Sequence, residues 1–153
     1  PVQGMISDEK YFLEPDAEFT GNSPGYALFG MTVTAFEQRD GSLYTKASRG
    51  YTASQWVKPD FAAPGVDVKT AAAGRLGGFG EASGTSLAAA QTAGIAALMF
   101  EWAIIRGNEP YFSGNSVKNY LRRGAVREED MQYPNREWGY GKVDLYHTFE
   151  LLT

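Results

Sequence analysis

The stretch Gly84-Thr85-Ser86-Leu87-Ala88-Ala89-Ala90, followed by Gln91-Thr92-Ala93-Gly94-Ile95-Ala96-Ala97-Leu98-Met99-Phe100-Glu101-Trp102, decides how this chain is read. From Leu87 onward it is rich in strong helix formers. Ile95, Leu98, Met99, Trp102 and Ile105 recur at i, i+3, i+4, i+7 and i+10, one stripe of a helix with a 3.6 period. The opposite side is alanine and glycine, so the helix is expected to pack closely on more than one side, as the central buried helix of the domain. Ser86 stands at its start, where two readings are open. A serine there caps orphan backbone N–H groups. A serine there can also be a nucleophile whose own N–H helps form an oxyanion hole, as acyl-transfer enzymes require.

The bulk properties bound the alternatives. A chain of 153 residues, 43 % hydrophobic and 14 % aromatic, suits one domain with one core. The net charge of −4 is spread with mixed signs, so no basic face for nucleic acid or an anionic membrane is expected. With no cysteine, disulfides and thiolate metal sites are excluded, while the compartment stays open. Gln91, Thr92 and Glu101 interrupt the longest apolar run, so no membrane span is expected. No basic-then-apolar N-terminus suggests a signal peptide. No carboxylate cluster has calcium-loop spacing, and neither a metal nor a cofactor is expected.

Residues 1–24 are a lead-in of little regular pattern, with Tyr11-Phe12-Leu13 as a short strand or anchor and Glu14-Pro15-Asp16 as a turn. Asn22, in Thr20-Gly21-Asn22-Ser23-Pro24-Gly25, reads as a turn residue. Tyr26 to Phe36 has apolar residues on both faces, which suits a strand of a parallel sheet covered by helices. Asp40-Gly41 marks a turn, and Leu43-Tyr44-Thr45 a short return strand. Arg49 reads as a structural or solvated contact that could hold an acid. Lys58-Pro59-Asp60 and Ala63-Pro64-Gly65 punctuate a loop, and Val66 to Ala71 leans to β structure. Gly74, Gly77, Gly78 and Gly80 form a hairpin-like approach to Ser86; without a Gly-Lys-Ser/Thr ending it is no phosphate loop.

After the central helix, Arg106-Gly107-Asn108 is a stop signal. Ser116 to Arg123 reads as a second helix with Val117, Tyr120 and Leu121 inward and Lys118, Arg122 and Arg123 outward or in the last turn. Asp144 to Leu152 reads as a third, with Leu145, Phe149 and Leu152 on one stripe. The single histidine, His147, lies on a different face and reads as a surface or packing residue rather than a base.

Three segments then carry a resemblance. Gly84-Thr85-Ser86-Leu87-Ala88-Ala89-Ala90 with Ala93-Gly94 resembles the nucleophile motif of the subtilisin-like serine peptidases, the subtilases. Lys58-Pro59-Asp60-Phe61-Ala62-Ala63-Pro64-Gly65-Val66 is similar to the segment that family places before its nucleophile. Trp138-Gly139-Tyr140-Gly141-Lys142-Val143-Asp144 is similar to its glycine-rich approach to a last helix. Order and rough spacing agree from about Ala27 to the C-terminus. Ala35 to Tyr44, Ser48 to Thr52, Tyr133 to Gly141 and the Ala88-Ala89-Ala90 tail look like one branch, the spore-germination (Csp-like) subtilases of clostridia and their relatives.

The resemblance implies an α/β fold: parallel strands and a β-hairpin, a central nucleophile-bearing helix and two further helices. It implies a serine endopeptidase in which Ser86 attacks the scissile carbonyl and its N–H is an oxyanion donor. Gly84 and Thr85 then shape the turn that presents Ser86, and Leu87 borders the leaving-group side. In subtilases the triad runs Asp, His, Ser, yet no histidine precedes Ser86 here. Residues 1–153 are therefore expected to be the C-terminal half of a catalytic domain, inactive alone, with the Asp, the His and the oxyanion asparagine in a preceding segment. The partners expected are a protein or peptide substrate, the N-terminal half of the same domain, and a second copy through an exposed strand edge. Two other readings stay open: a pseudoprotease or regulatory scaffold on the same fold, and an interaction domain in which Ser86 is only a cap.

Overall fold

The computed structural model describes residues 13, 14, 16–74 and 77–152. Its centre is a parallel pair of strands, β1 (Val33–Phe36) and β2 (Phe61–Pro64), in register from Val33 opposite Phe61 to Phe36 opposite Pro64. Three of the four residues in each strand are buried, the pattern of a sheet covered on both faces. An antiparallel hairpin follows, β3 (Val68–Ala71) with β4 (Phe79–Ala82), and delivers the chain into helix α1 (Thr85–Phe100). A π-helical turn over Glu101–Ile105 ends that helix; α2 (Gly114–Gly124) and α3 (Leu145–Glu150) complete the order. The α/β class, with parallel strands, hairpin and three helices, is the expected one.

Why α1 lies so close to β1 and β2 is a matter of small side chains. Ala35, Ala63 and Ala88 are fully buried and pack together. Gly65, just past β2, has no room for a Cβ: one built there would lie 2.7 Å from the Ala35 Cβ, 2.9 Å from the Gly84 carbonyl oxygen and 3.1 Å from the Ala88 Cβ. The larger core sits beyond, where Phe61 and Met99 meet Phe112, Val117 and Leu121.

Several boundaries differ from the sequence reading. The strand expected over Tyr26 to Phe36 begins only at Val33. Ala27 N–H donates to the Pro24 carbonyl and Gly30 N–H to the Ala27 carbonyl, so successive turns use the backbone groups that a strand would need. Phe61–Pro64, read as loop, is instead the central strand. Its second edge is engaged too, with Ala62 N–H donating to the Gly141 carbonyl and Val143 N–H to the Ala62 carbonyl. Leu43-Tyr44-Thr45 forms no strand; a single bridge joins Leu43 to Phe36. Tyr11 and Phe12 lie outside the described residues, and Leu13 is exposed.

Helix α1 is not buried all round. Ala88, Thr92 and Met99 are buried, and Ile95 and Trp102 pack against the core, but Leu98 is 52 % exposed and Ile105 79 %. The π turn inserts extra residues per turn and rotates Ile105 out of the stripe. Ala89, Ala90, Ala93, Gly94 and Ala97 also face outward. By length and composition, Thr85–Ile105, with mean hydropathy 1.4, is a segment that could cross a membrane. Here one side of it, Ala88–Thr92–Met99, is packed against the sheet and the core.

The two later helices follow their capping chemistry. Ser113 caps α2 by accepting from Ser116 N–H while the Ser116 hydroxyl accepts from Ser113 N–H. Val117 and Leu121 point inward, and Arg122 and Arg123 stand in the last turn. Asp144 caps α3 through His147 N–H.

Candidate active site

The site begins with how the chain reaches Ser86. The turn from β2 into the hairpin is fastened beside it. Asp67 holds a left-handed backbone (φ 49°), its N–H donates to Ser83 Oγ at 2.9 Å, and that hydroxyl donates back to Asp67 Oδ1 at 3.1 Å. Arg39 Nη2 closes on Asp67 Oδ2 at 2.8 Å. Hydrogen bonding to Glu37, then the charges of Glu37 and Asp67, hold the exposed Arg39 guanidinium above its ordinary pKa. One residue on, Gly84 N–H donates to the Gly65 carbonyl at 2.7 Å. The backbone on which Ser86 stands is thus tied to the end of the central strand.

Gly84 itself is the N-cap of α1, in extended conformation, and has no side chain with which to cap. Thr85 is the first helical residue and Ser86 the second. The capping reading of Ser86 is therefore corrected: its side chain lies past the cap position, and no side-chain hydrogen bond caps this helix. Ser86 is exposed, and its hydroxyl has no hydrogen-bond partner among the described residues. The first-turn N–H groups, which an α-helix leaves without intrahelical partners, converge where the helix dipole favours negative charge. Leu87, half-buried, donates its N–H to the Gly84 carbonyl at 3.1 Å and so belongs to the same tight turn. These four residues are brought together, with the hydroxyl outward and the donors beside it.

Thr85 also lines a cleft of about 150 Å³ with Asn22, Thr34, Ser48, Arg49 and Lys58. Asn22 lies at the head of the turn over residues 23–26, as a turn residue should. Thr34 is buried, and its Oγ1 has no hydrogen-bond partner among the described residues, so the cleft carries an unmet polar group. Leaving such a group unpaired costs about 1–3 kcal/mol. Arg49 does hold an acid, Glu137, at 2.8 Å.

Sequence reasoning missed a second polar centre. Asp60, at the start of β2, is buried; its Oδ2 accepts from Lys58 Nζ and from Thr32 N–H, both at 2.8 Å, and its Oδ1 from Lys118 Nζ. Lys58 Nζ also donates to the Gly30 carbonyl at 2.7 Å. The Lys58-Pro59-Asp60 string hinted at this centre, but Lys118 comes from α2, far along the chain. His147 stands on α3, half-exposed, with Nδ1 3.6 Å from Glu150, and no hydrogen bond joins it to Ser86. Among the described residues no group of three His, Cys, Asp or Glu side chains could hold a metal ion.

Residues 14–141 match the model of the Subtilase family. The CspB protease of Clostridium perfringens is 39 % identical, with a TM-score of 0.85 over 92 % of this chain and 30 % of that one. The prenylagaramide maturation protease PagA is 26 % identical, with a TM-score of 0.72 over 90 % of this chain and 48 % of its own. Pyrolysin of Pyrococcus furiosus is 29 % identical over 111 residues, 69 % of this chain and 8 % of that protein. The chain thus spans less than half the length of each of these relatives.

Proposed function

The chain belongs to the subtilase family, and from that premise we propose that Ser86 is the nucleophile of a serine endopeptidase. The observation that carries this reading is the uncapped start of α1. A glycine stands at the cap, and Ser86 points its free hydroxyl outward beside unpaired N–H donors. Attack of Oγ on a scissile carbonyl would place the developing oxyanion near the Ser86 N–H, where preorganised donors stabilise it most. Gly84 and Thr85 fix the turn, and Leu87 borders the leaving-group side. Peptide or protein is the substrate class.

A serine hydroxyl needs a base to take its proton and a third group to orient that base. His147 is bound into α3, so residues outside this chain would supply both. Residues 1–153 would then be the C-terminal half of the catalytic domain, and the outward Ala89–Ala93–Gly94–Ala97 face of α1 the surface that the other half covers. In the absence of that half, a second copy would be drawn to the same surface. The edge of β1 that was expected to invite pairing is partly taken, with Tyr44 N–H donating to the Ala35 carbonyl.

Labelling with a fluorophosphonate probe tests the proposal. The full-length protein should label at Ser86 and cleave peptides, and Ser86→Ala should lower turnover by on the order of 10⁴-fold or more. Residues 1–153 alone should neither label nor cleave. Peptide cleavage that survives Ser86→Ala would overturn the assignment. A full-length protein that neither labels nor cleaves would make the chain part of a pseudoprotease scaffold.

A further inference from the structure

Lys58, which lines the Thr85 cleft, also lines a groove whose charge is not balanced. Two cavities of about 380 Å³ each adjoin there, and Arg122 and Tyr140 line both. The carboxylates on their walls are two. Asp60 is shared by the ammonium groups of Lys58 and Lys118, and Glu128 is paired with Lys142 at 2.8 Å. Arg122 lies 4.3 Å from the Tyr140 ring centroid, and Arg127 donates to the backbone carbonyls of Tyr140 and Arg122. Neither guanidinium has a carboxylate partner among the described residues. One ammonium's worth of charge and two guanidiniums are thus unmatched along one groove, in a chain of net charge −4. Lys118 and Arg122 are also four residues apart on α2, a like-charge spacing that works against the helix.

The walls are apolar as well as cationic. Trp56 is 47 % exposed and Leu28 52 %. Trp56 is held by a closed turn in which its N–H donates to Thr52 Oγ1 and Thr52 N–H donates back to the Trp56 carbonyl, both at 3.0 Å. We propose that this groove, from Trp56 past Lys118, Arg122 and Tyr140 to Arg127, binds an extended acidic peptide segment. Carboxylates would engage the planar donor fork of Arg122 and the N–H groups of Arg127 that the Tyr140 and Arg122 carbonyls leave over, while an apolar residue between rests on Trp56. A small inorganic anion would use the cations but leave the aromatic and aliphatic walls empty, so peptide is the better fit. The site is separate from Ser86, and its occupancy does not depend on any cleavage.

Fluorescence anisotropy on the full-length protein carrying Ser86→Ala, so that no probe is cut, tests this. The probe is a labelled peptide alternating Glu with Leu, and its twin carries Gln for Glu. The Glu peptide should bind, the Gln twin should not, and added salt should weaken binding. Arg122→Gln and Arg127→Gln should each lower affinity about tenfold, the loss expected for one charge-assisted contact. Trp56→Ala should lower it too. Thermal melting checks that each variant is folded, and Arg122→Lys, which keeps the charge but not the fork, replaces Arg122→Gln if that variant does not fold. Absence of binding, equal binding of the twin, or unchanged affinity in both arginine variants would overturn the proposal. So would displacement by millimolar inorganic phosphate together with no effect of Trp56→Ala, which would mean an anion site only.

Discussion

On one side of α1, Ala88, Thr92 and Met99 are sealed against β1, β2 and the residues around α2. On the other, Ala89, Ala93, Gly94, Ala97 and Leu98 meet solvent. The two sides are built from the same small and aliphatic residues, so composition does not separate them. What separates them is whether this chain supplies a neighbour. Two glycines measure the difference: a Cβ on Gly65 would collide with Ala35, Gly84 and Ala88, whereas one on Gly94 would meet nothing within 4 Å. Small residues on the sealed side let backbones approach. The same residues on the open side are the surface that we propose a further part of the domain covers.

The largest expected effect lies in the sealed core. Met99 is fully buried among Phe61, Phe112 and Leu121, and its neighbour Leu98 is half-exposed on the same helix. Met99→Ala should destabilise residues 1–153 by about 2–5 kcal/mol, the range for deleting a buried long side chain. Leu98→Ala should cost about 1 kcal/mol or less, because little is buried to lose. Denaturant titration of both variants measures the contrast directly. Equal losses would mean that the open side is not open.

Gly65→Ala comes next. The added methyl must displace the Ala35 or Ala88 side chain or the Gly84 backbone, an overpacking cost of roughly 1–3 kcal/mol. In a domain of this size each 1 kcal/mol corresponds to about 2–4 °C in Tm. Because Gly84 N–H is tied to the Gly65 carbonyl, the strain reaches the turn that carries Ser86. In the full-length protein we expect kcat to fall more than KM changes, and a stability loss with unaltered kinetics would dissociate the seam from the site.

How much of this was legible in the chain follows the same division. The Gly84–Ala90 string, the helices α2 and α3 and the glycine approach to Ser86 are local patterns, and the structure keeps them with boundary shifts of a residue or two. Phe61-Ala62-Ala63-Pro64 was unreadable as a strand because it has no alternation, little β propensity and a proline. It is a strand because Phe36, Trp138 and Ala88 close on it from distant parts of the chain. Tyr26 to Gly30 fails in the opposite sense: apolar residues suited a strand, but local turns took the backbone. The N-cap could not be fixed from sequence either, because Gly84, Thr85 and Ser86 are all acceptable caps. The buried Lys58–Asp60–Lys118 centre needed the fold to bring its third member in.

The smallest expected effect has the opposite sign and tests the open side. Glycine within a helix costs about 0.5–1 kcal/mol relative to alanine through backbone entropy. Gly94 lies in the middle of α1, with space where a Cβ would go. Gly94→Ala should therefore stabilise residues 1–153 by that amount, a rise of a few degrees in Tm. In the full-length protein the same methyl would press into whatever covers the Ala93–Gly94 face, and the gain should disappear or reverse. The pair of melts, one on each form, gives the sign in each setting. If Gly94→Ala stabilises both forms equally, nothing packs on that face, and the Ala89–Ala97 side of α1 is not where the rest of the domain sits.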